Sequence, residues 1–271
     1  MELLCSALQG NPNLSTQILQ TVSRAIAMLR AFDGGTAELT LKELSARLGL
    51  EKVNTLRLAR TLLHEGLLTH DPQSRRYALS LGCLALFRGL LGRNELIESA
   101  RRHLEHARDA TGETACLMVR EGWHRVAVDS IPSKHSVRYV LEIGDRRPLH
   151  MGAAGMCLLS GLDEAAWEEL MARLNAEAEE RPVQRRPLTI QERLQRLRDQ
   201  GWVTVQGEWA AEAAGAAAPI HDAQRKVVAA VSIVVPLTRA SDTHMETCGR
   251  MAMATAQSIS SELARLGGAI S

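Results

Sequence analysis

The residues best suited to chemistry lie between positions 53 and 64, where basic and amide side chains recur at helical spacing. At about 100° per residue, one arc of this segment is apolar and the other is mostly polar and free of acids. The apolar arc comprises Leu56, Leu58, Ala59, Leu62 and Leu63. The other arc comprises Val53, Asn54, Arg57, Arg60, Thr61 and His64. Guanidinium, amide and hydroxyl groups on one helix face can contact phosphates and read base edges in the major groove of DNA.

The elements that would position this arc have the pattern of a helix-turn-helix. A short first helix begins at a capping box, in which Thr40 accepts a bond from a backbone amide and Glu43 reaches back to the helix start. Gly49 ends that helix and permits a sharp turn, and the second helix ends at Gly66. Asp71-Pro72 then lies between two short strand-like runs, which predicts a β-hairpin wing. Together these features predict a winged helix-turn-helix domain.

The predicted partner of this domain is an operator in double-stranded DNA. The side chains expected in the major groove are Asn54, Arg57 and Arg60. Those expected on phosphates are Arg24, Lys52, Arg75 and Arg76, and Val53 and Thr61 complete the predicted surface. The alternative is an ordinary solvated helix face, which the spacing, caps, wing and lack of acids disfavour.

Length and charge allow two domains and limit the electrostatic surface. A chain of 271 residues is long enough for two hydrophobic cores. The formal net charge is +1, and residues 1–80 hold nine Lys/Arg and seven Asp/Glu, a net of +2. Any basic DNA-binding surface must therefore be local, and its affinity should fall with salt.

Several classes of function are disfavoured by what the sequence lacks. No apolar run of about 18 residues is present, so no membrane partner is expected. The sequence has no nucleophile elbow, phosphate loop, dinucleotide fingerprint or zinc-protease motif, so neither enzymatic activity nor a cofactor is predicted, and no catalytic residues are assigned. His103 and His106 lack a visible third ligand, so no metal site is predicted.

The five cysteines are scattered and contain no Cys-x-x-Cys pair. This pattern indicates a reducing compartment and predicts a cytoplasmic protein. A thiol-based redox-responsive regulator is an alternative, with Cys116 and Cys157 as candidate sensors. A sensor thiol should be exposed and electropositive. The apolar surroundings of both residues favour buried structural cysteines instead.

Helical and strand patterns divide the chain into four segments. These are a flexible tail over residues 1–15, the winged domain over 16–81, a linker helix over 82–111 and a second domain over 112–271. The apolar stripe of the linker helix makes it a candidate dimer surface. The winged domain should begin with a helix over residues 16–32. The core positions expected in that helix are Val22, Ala25, Ile26 and Leu29.

The second domain alternates between strand-like and helix-like patterns. Strands are expected over residues 114–120, 124–131, 137–142, 202–205, 216–220 and 227–235. Helices are expected over residues 155–160, 163–178, 189–199 and 242–266, with a second capping box at Thr189 and Glu192. Two groups of strands with helices between them predict an α+β domain with a mostly antiparallel sheet.

A series of short motifs runs through the chain in a specific order. They lie at residues 22–32, 41–50, 61–68, 76–79, 111–114, 144–150, 198–202 and 217–220. In this order they resemble the IclR family of bacterial transcriptional regulators. The resemblance implies a winged helix-turn-helix, a linker helix and a GAF-like effector-binding domain. It also implies a homodimer, or a homotetramer built as a dimer of dimers, whose promoter binding responds to a small metabolite, often an organic or aromatic acid.

The resemblance also marks two places where this chain departs from the family. Val53-Asn54 stands where the recognition helix usually has a Ser-Thr pair, which predicts a distinct base preference at that end. In the effector pocket, relatives often have an acidic side chain, a cysteine and two serines. The corresponding residues here are Val205, Gly215, Ser232 and Val234, so one serine is kept.

The rest of the effector-binding set follows by the same carry-over. It comprises Met118, Tyr139, Gly152, Ala153 and Trp209, with His150 beside them. A pocket with so few polar anchors predicts an apolar or aromatic acid as the effector. The alternative is that these residues fill core volume and that the protein binds DNA without an effector.

Overall fold

The computed structural model divides into two compact units, Met1–Arg93 and Asn94–Ser271. It describes residues 18–32, 37–86, 95–180, 190–208 and 210–267. The division falls inside the predicted linker helix, of which residues 83–86 and 95–111 are helical and residues 87–94 lie outside the described ranges. The predicted tail and Thr189 also lie outside them. Among the described helices, none is both long and apolar enough to cross a bilayer.

The first unit combines three helices with a small antiparallel sheet. Its helices are α1 (Gln20–Arg30), α2 (Leu41–Leu48) and α3 (Lys52–His64). Its strands are β1 (Leu39–Thr40), β2 (Leu68–Asp71) and β3 (Arg76–Leu79), in the order β1-β3-β2. The predicted winged helix-turn-helix is confirmed, with β1 as an additional short strand. The buried core beneath it includes Met28, Phe32, Leu44, Leu62 and Tyr77.

The buried face of α1 differs from the predicted one. Met28 is fully buried, whereas Val22 and Ile26 are 52% and 45% exposed, so their assignment to the core was wrong. Ala25 and Leu29 are half-buried, as expected for the edge of the stripe. On a helical wheel Ile26 lies about 160° from Met28. The buried face of α1 is thus centred on Met28. A prediction from the aliphatic residues Val22 and Ile26 placed the buried face on the wrong side of the helix.

The second unit contains a six-stranded sheet and five helices within the described ranges. The helices are α4 (Glu95–Thr111), α5 (Gly152–Leu159), α6 (Glu164–Glu180), α7 (Ile190–Gln200) and α8 (Asp242–Gly267). The strands are β4 (Thr114–Glu121), β5 (His124–Ile131), β6 (Arg146–Pro148), β7 (Val203–Gln206), β8 (Ala213–His221) and β9 (Val227–Pro236). They pair in the order β6-β5-β4-β9-β8-β7, and every pair is antiparallel. The predicted α+β class with an antiparallel sheet is confirmed.

Helices cover both faces of this sheet. Helices α4 and α8 pack on one face, and their shared core includes Leu104, Leu117, Ile233 and Ile259. Helix α5 packs on the other face and is buried along its whole length. Because both faces are covered, β8 and β9 are nearly continuous runs of small and apolar residues. The core on the α5 side also receives side chains from α6 and α7.

The strand expected over residues 137–142 was wrong. These residues form a loop, and the edge strand that pairs with β5 is β6, further along the chain. Val137, Tyr139 and Leu141 alternate like strand residues, but their burial runs from exposed through half-buried to buried. The alternation therefore reflects a loop that inserts Leu141 into the core, which a period of two cannot distinguish from a strand.

Candidate DNA-binding surface and effector cavity

Local hydrogen bonds fix the start of α2 and the turn before α3. Thr40 Oγ1 accepts a bond from Glu43 N at 3.3 Å, and Glu43 Oε2 accepts one from Thr40 N at 2.7 Å. The Glu43 carboxylate also accepts a bond from the Thr40 hydroxyl at 2.8 Å, and the two bonds it accepts, from Thr40 N first and then from the hydroxyl, lower its pKa. Gly49 has a φ of 63°, a left-handed conformation that closes α2 at little steric cost. The capping box and the glycine end are both present as predicted.

The predicted polar arc of α3 is exposed and the predicted apolar arc faces the core, although Leu56 and Leu63 are only half-buried and the buried Thr55 belonged to neither arc. The buried side chains are those of Thr55, Leu58, Ala59 and Leu62. The exposed residues are Val53, Asn54, Arg57, Arg60, Thr61 and His64, and Arg24 and Lys52 are exposed as well. The Thr61 hydroxyl donates to Arg57 O at 3.1 Å, so its proton is used within the helix. Helix α3 therefore presents amide and guanidinium groups without a neighbouring acid on the same helix.

The wing places its two arginines in different environments. The Asp71 carboxylate accepts hydrogen bonds from two backbone amides of the turn, at 2.9 and 3.1 Å. Arg75 is exposed at the tip with a φ of 57°. The Arg76 guanidinium instead donates to Glu38 O at 3.4 Å and lies 3.9 Å from Glu43 Oε2. Arg75 is therefore open to solvent, whereas Arg76 braces the wing against the start of α2.

A small cavity lies in the second unit, between the sheet and the start of α5. Its volume is about 10 Å³, which is room for about one water molecule. It is lined by Arg125, Leu141, Gly152, Ala153, Ala154, Val205, Glu208, Ala213, Gly215, Ser232 and Val234. The structure thus brings together six residues of the predicted effector set. They are Gly152, Ala153, Val205, Gly215, Ser232 and Val234.

Three other residues of the predicted effector set, Met118, Tyr139 and His150, are not part of the cavity lining. Met118 is fully buried in the core on the α5 side of the sheet, and Tyr139 packs against that core. His150 is half-buried and lies just before α5. Trp209 lies outside the described residues.

The Glu208 carboxylate accepts a hydrogen bond from the first backbone amide of α5, a contact that the sequence analysis missed. Its Oε2 accepts a hydrogen bond from Gly152 N at 2.8 Å, and its Oε1 forms an ion pair with Arg193. Gly152 has a φ of 77°, which favours glycine at this position. Helix N-terminal amides attract anions. The carboxylate of Glu208 therefore satisfies an anion-binding position from within the chain.

Arg125 is the second charged residue of the wall. It is only 4% exposed, and its Nε donates to Met151 O at 3.0 Å. Burial lowers the pKa of the Arg125 guanidinium. The predicted effector set had few polar anchors and included neither Arg125 nor Glu208, so both charged residues of the wall were missed. Arg125 stands at a buried position of β5, where Ala127, Asp129 and Ile131 follow at every second residue. A charged side chain in such a position is rare, and that was the available signal.

The described cysteines are not placed for redox sensing. Cys116, Cys157 and Cys248 are fully buried. Burial raises the pKa of Cys116 and of Cys248 to about 12, and it raises the pKa of Cys157 as well. Such thiols stay protonated near neutral pH, and the thiolate is the reactive form. Cys83 is half-buried, with its Sγ 3.2 Å from Leu67 O.

His103, on α4, contacts an acidic residue of α8. His103 Nε2 lies 3.1 Å from Glu262 Oε2, and this contact lowers the pKa of the Glu262 carboxyl. Over the described ranges, no group of three or more His, Cys, Asp or Glu side chains is arranged to hold a metal ion. His103 thus joins α4 to α8 within the second unit.

Sequence comparison assigns both units to known domain types. Residues 21–72 match the IclR helix-turn-helix domain, and residues 89–261 match the bacterial transcriptional regulator IclR C-terminal domain. The chain belongs to the IclR family. The members of this family are transcriptional regulators rather than enzymes, and they combine a DNA-binding domain with an effector-binding domain.

Two IclR-family relatives illustrate the range of similarity. The glycerol operon regulatory protein of Streptomyces griseus is 33% identical over 221 residues, which cover 82% of this chain and 86% of that protein. The Pca regulon regulatory protein of Pseudomonas putida is 26% identical over 241 residues, which cover 89% of this chain and 81% of that protein.

Solved structures of bacterial proteins share the fold of this chain. A regulator from Rhodococcus sp. RHA1 has a TM-score of 0.72 at 25% identity, with 92% of this chain and 100% of that chain covered. An IclR homolog from Microbacterium hydrocarbonoxydans, complexed with 4-hydroxybenzoate, has a TM-score of 0.73 at 22% identity, with 90% of this chain and 98% of that chain covered. The similarity extends over both units of the present chain.

Proposed function

We propose that this IclR-family regulator binds its operator through the exposed arc of α3 and changes that binding when a small apolar or aromatic acid enters the cavity of the second unit. The observation that carries the proposal is the composition of α3. Its exposed residues are all basic or polar except for one valine, and α3 itself contains no acid: they are Lys52, Val53, Asn54, Arg57, Arg60, Thr61 and His64. Such a face suits a negatively charged groove lined with hydrogen-bonding base edges.

The position of each residue along α3 suggests a division of roles. Val53 and Asn54 lie at the N-terminal end, the end that contacts base edges in helix-turn-helix proteins. Arg57 and Arg60 follow one and two turns later, where a guanidinium can reach bases or phosphates. Lys52, Arg24 and Arg75 are solvent-facing cations assigned to phosphates. Arg76 is a weaker candidate, because it already has partners within the unit.

Exposed apolar residues in the first unit support a homo-oligomer. Leu19, Val22 and Ile26 form an exposed stripe along and just before α1. Exposed apolar patches on a soluble protein often mark interaction surfaces. We infer a homodimer, or a dimer of dimers, in which two α3 helices address half-sites roughly 34 Å apart or a multiple of that distance. Binding to an operator places this bacterial-type regulator in the cytoplasm.

The wall of the cavity supports an apolar or aromatic acid as the effector. Val205, Val234 and Leu141 supply apolar surface, and Ser232 supplies a hydroxyl. An aromatic acid, 4-hydroxybenzoate, is bound in the solved IclR homolog from Microbacterium hydrocarbonoxydans, which supports an effector of this chemistry. A ligand that binds one state of the protein more tightly than another shifts the population of those states.

Fluorescence anisotropy with DNA from immediately upstream of its own gene tests the proposal. A scrambled duplex and two salt concentrations separate specific from electrostatic binding. Wild-type protein should prefer the native duplex and lose affinity with salt. Arg57→Ala should weaken binding by about 10- to 100-fold, the cost of one bidentate contact. If Arg57 lies on phosphate, the salt slope should also fall by about 1.

Arg250→Ala provides a control of equal charge change. Arg250 is an exposed residue of α8 that pairs with Glu246 at 2.7 Å, in the other unit. This variant should bind the operator like wild type. An Arg57→Ala isotherm that overlays the wild-type curve would rule out the proposed use of α3.

A further inference from the structure

The Arg125 guanidinium is a buried charge without an ion-pair partner among the described residues. The residue is 4% exposed and lines the cavity, and its Nε is bonded to Met151 O. Among the described residues, no carboxylate lies within 4.0 Å of its guanidinium nitrogens. Burying a charge without a counter-ion is costly, and buried charges are usually paired.

The nearest acids are committed to other partners. Asp145 and Glu208 both act electrostatically on Arg125. Arg147 Nε donates to Asp145 Oδ1 at 3.1 Å. Glu208 is held by Arg193 and by the first amide of α5. The cavity wall therefore contains the Arg125 cation, which has no ion-pair partner among the described residues, and the Glu208 carboxylate, which Arg193 already neutralises.

We propose that Arg125 binds the carboxylate of the effector, so that the ligand is a monocarboxylate whose apolar body faces Val205 and Val234. A guanidinium presents two parallel donors to a carboxylate, which gives both charge neutralisation and a fixed orientation. Ser232, which is 6% exposed in the same wall, supplies a hydroxyl nearby. This inference rests on the proposed function. It adds that Arg125 selects an acid over a neutral ligand, and that the bound acid points its carboxylate toward Arg125.

The start of α5 is not the place for that carboxylate. The amide of Gly152 already donates to Glu208, so an incoming anion would have to displace a carboxylate that Arg193 also holds. Arg125 carries no such competitor. The ligand is therefore oriented toward β5, and Glu208 remains a structural anion of the wall.

The size of the cavity determines how the ligand enters. A volume of about 10 Å³ admits about one water molecule, so even a small carboxylate requires the wall to move. Most lining residues belong to strands or to α5, whereas Leu141 and Glu208 belong to loops. The smallest probe, acetate, demands the least movement, and benzoate tests whether the apolar wall opens further.

The test uses the full chain and matched pairs of acids and amides. Acetate, butyrate, benzoate and 4-hydroxybenzoate are each compared with the corresponding amide and with chloride, by thermal shift and by isothermal titration calorimetry. At least one acid should raise the melting temperature saturably, because a ligand of the native state stabilises it. Its amide should not. Arg125→Gln should weaken that binding by about 10- to 100-fold, the loss of a charge-assisted pair.

Two further variants separate recognition from folding. Arg120 pairs with Arg125 in the β4–β5 register but is exposed, so Arg120→Gln should respond to the acid like wild type. Arg125→Lys keeps the charge without the planar fork. It should bind about tenfold more weakly than wild type and more tightly than Arg125→Gln, and it replaces Arg125→Gln if that variant does not fold.

Four results would overturn the role of Arg125. They are the absence of stabilisation by every acid, equal stabilisation by acid and amide, unchanged acid binding in Arg125→Gln, and equal binding by the lysine and glutamine variants. Operator binding is measured on the same wild-type samples. If operator binding is lost, the proposed function fails. If operator binding is kept but no acid has an effect, the effector half of the proposed function fails together with the inference about Arg125. If an acid stabilises wild type and Arg125→Gln equally, only the inference about Arg125 fails.

Discussion

The surface of α3 and the cavity beside α5 are both proposed recognition sites, but they are built in opposite ways. The α3 surface consists of exposed side chains from successive turns of one helix. The cavity consists of buried, mostly small residues brought together from strands, one helix and two loops. A side chain on α3 can therefore change without affecting the core. In the cavity, every change in binding is also a change in packing.

The largest effect should come from the core beneath α3 rather than from α3 itself. Leu44 is fully buried between the helices of the first unit. Leu44→Ala should lower the free energy of unfolding by about 4 kcal/mol, through lost burial and the cavity left behind. That is a large part of the stability of a small domain. Urea unfolding followed by circular dichroism measures the loss, and operator binding should fall with it.

Arg60→Ala is the counterpart on the surface of the same unit. Arg60 is exposed on α3. Its removal should weaken operator binding while changing stability by less than about 0.5 kcal/mol, as is usual for surface substitutions. A shift of the urea midpoint comparable with that of Leu44→Ala would show that the α3 surface and its core are not separable.

Glu208 gives the corresponding test in the second unit. Its carboxylate holds Arg193 and the start of α5, and both side chains are largely buried. Glu208→Gln leaves the Arg193 charge without its partner and should cost about 3 kcal/mol of stability. Glu169→Gln removes the exposed partner of Arg173 on α6 and should cost less than about 1 kcal/mol. Equal costs would mean that Glu208 is better solvated than its burial indicates.

The contrast between the sites also explains what the sequence could predict. The capping box, Gly49 and the faces of α3 follow from local rules, because each depends on residues within a few positions of one another. The inward face of α1 was assigned incorrectly, because Met28 and not Val22 or Ile26 makes the central contact. Local periodicity identifies a helix but does not reveal which neighbour covers it.

The charged wall of the cavity could not be derived in the same way. Arg125 and Glu208 lie far apart in the sequence, and only the tertiary fold of the second unit brings them to one cavity. Six residues of the predicted effector set were located by family resemblance, because aligned positions carry tertiary information that the pattern of one chain lacks. The resemblance could not supply Arg125, since it transfers the positions of the family pattern and nothing else.

The smallest predicted effect concerns Val53, an apolar residue on an otherwise polar surface. It is 68% exposed at the start of α3. The methyl group of thymine is the apolar feature of the major groove, and aliphatic side chains contact it. Burying one methyl contributes about 0.8 kcal/mol, so replacing the contacted thymine by uracil should weaken wild-type binding about fourfold. The Val53→Ala variant should bind the thymine operator more weakly than wild type does. Its affinity should not change when the thymine is replaced by uracil, and a double-mutant cycle measures this coupling. If wild type and Val53→Ala lose the same affinity on the uracil replacement at every thymine tested, Val53 does not contact a thymine methyl group. Base readout at this end of α3 would then be assigned to Asn54.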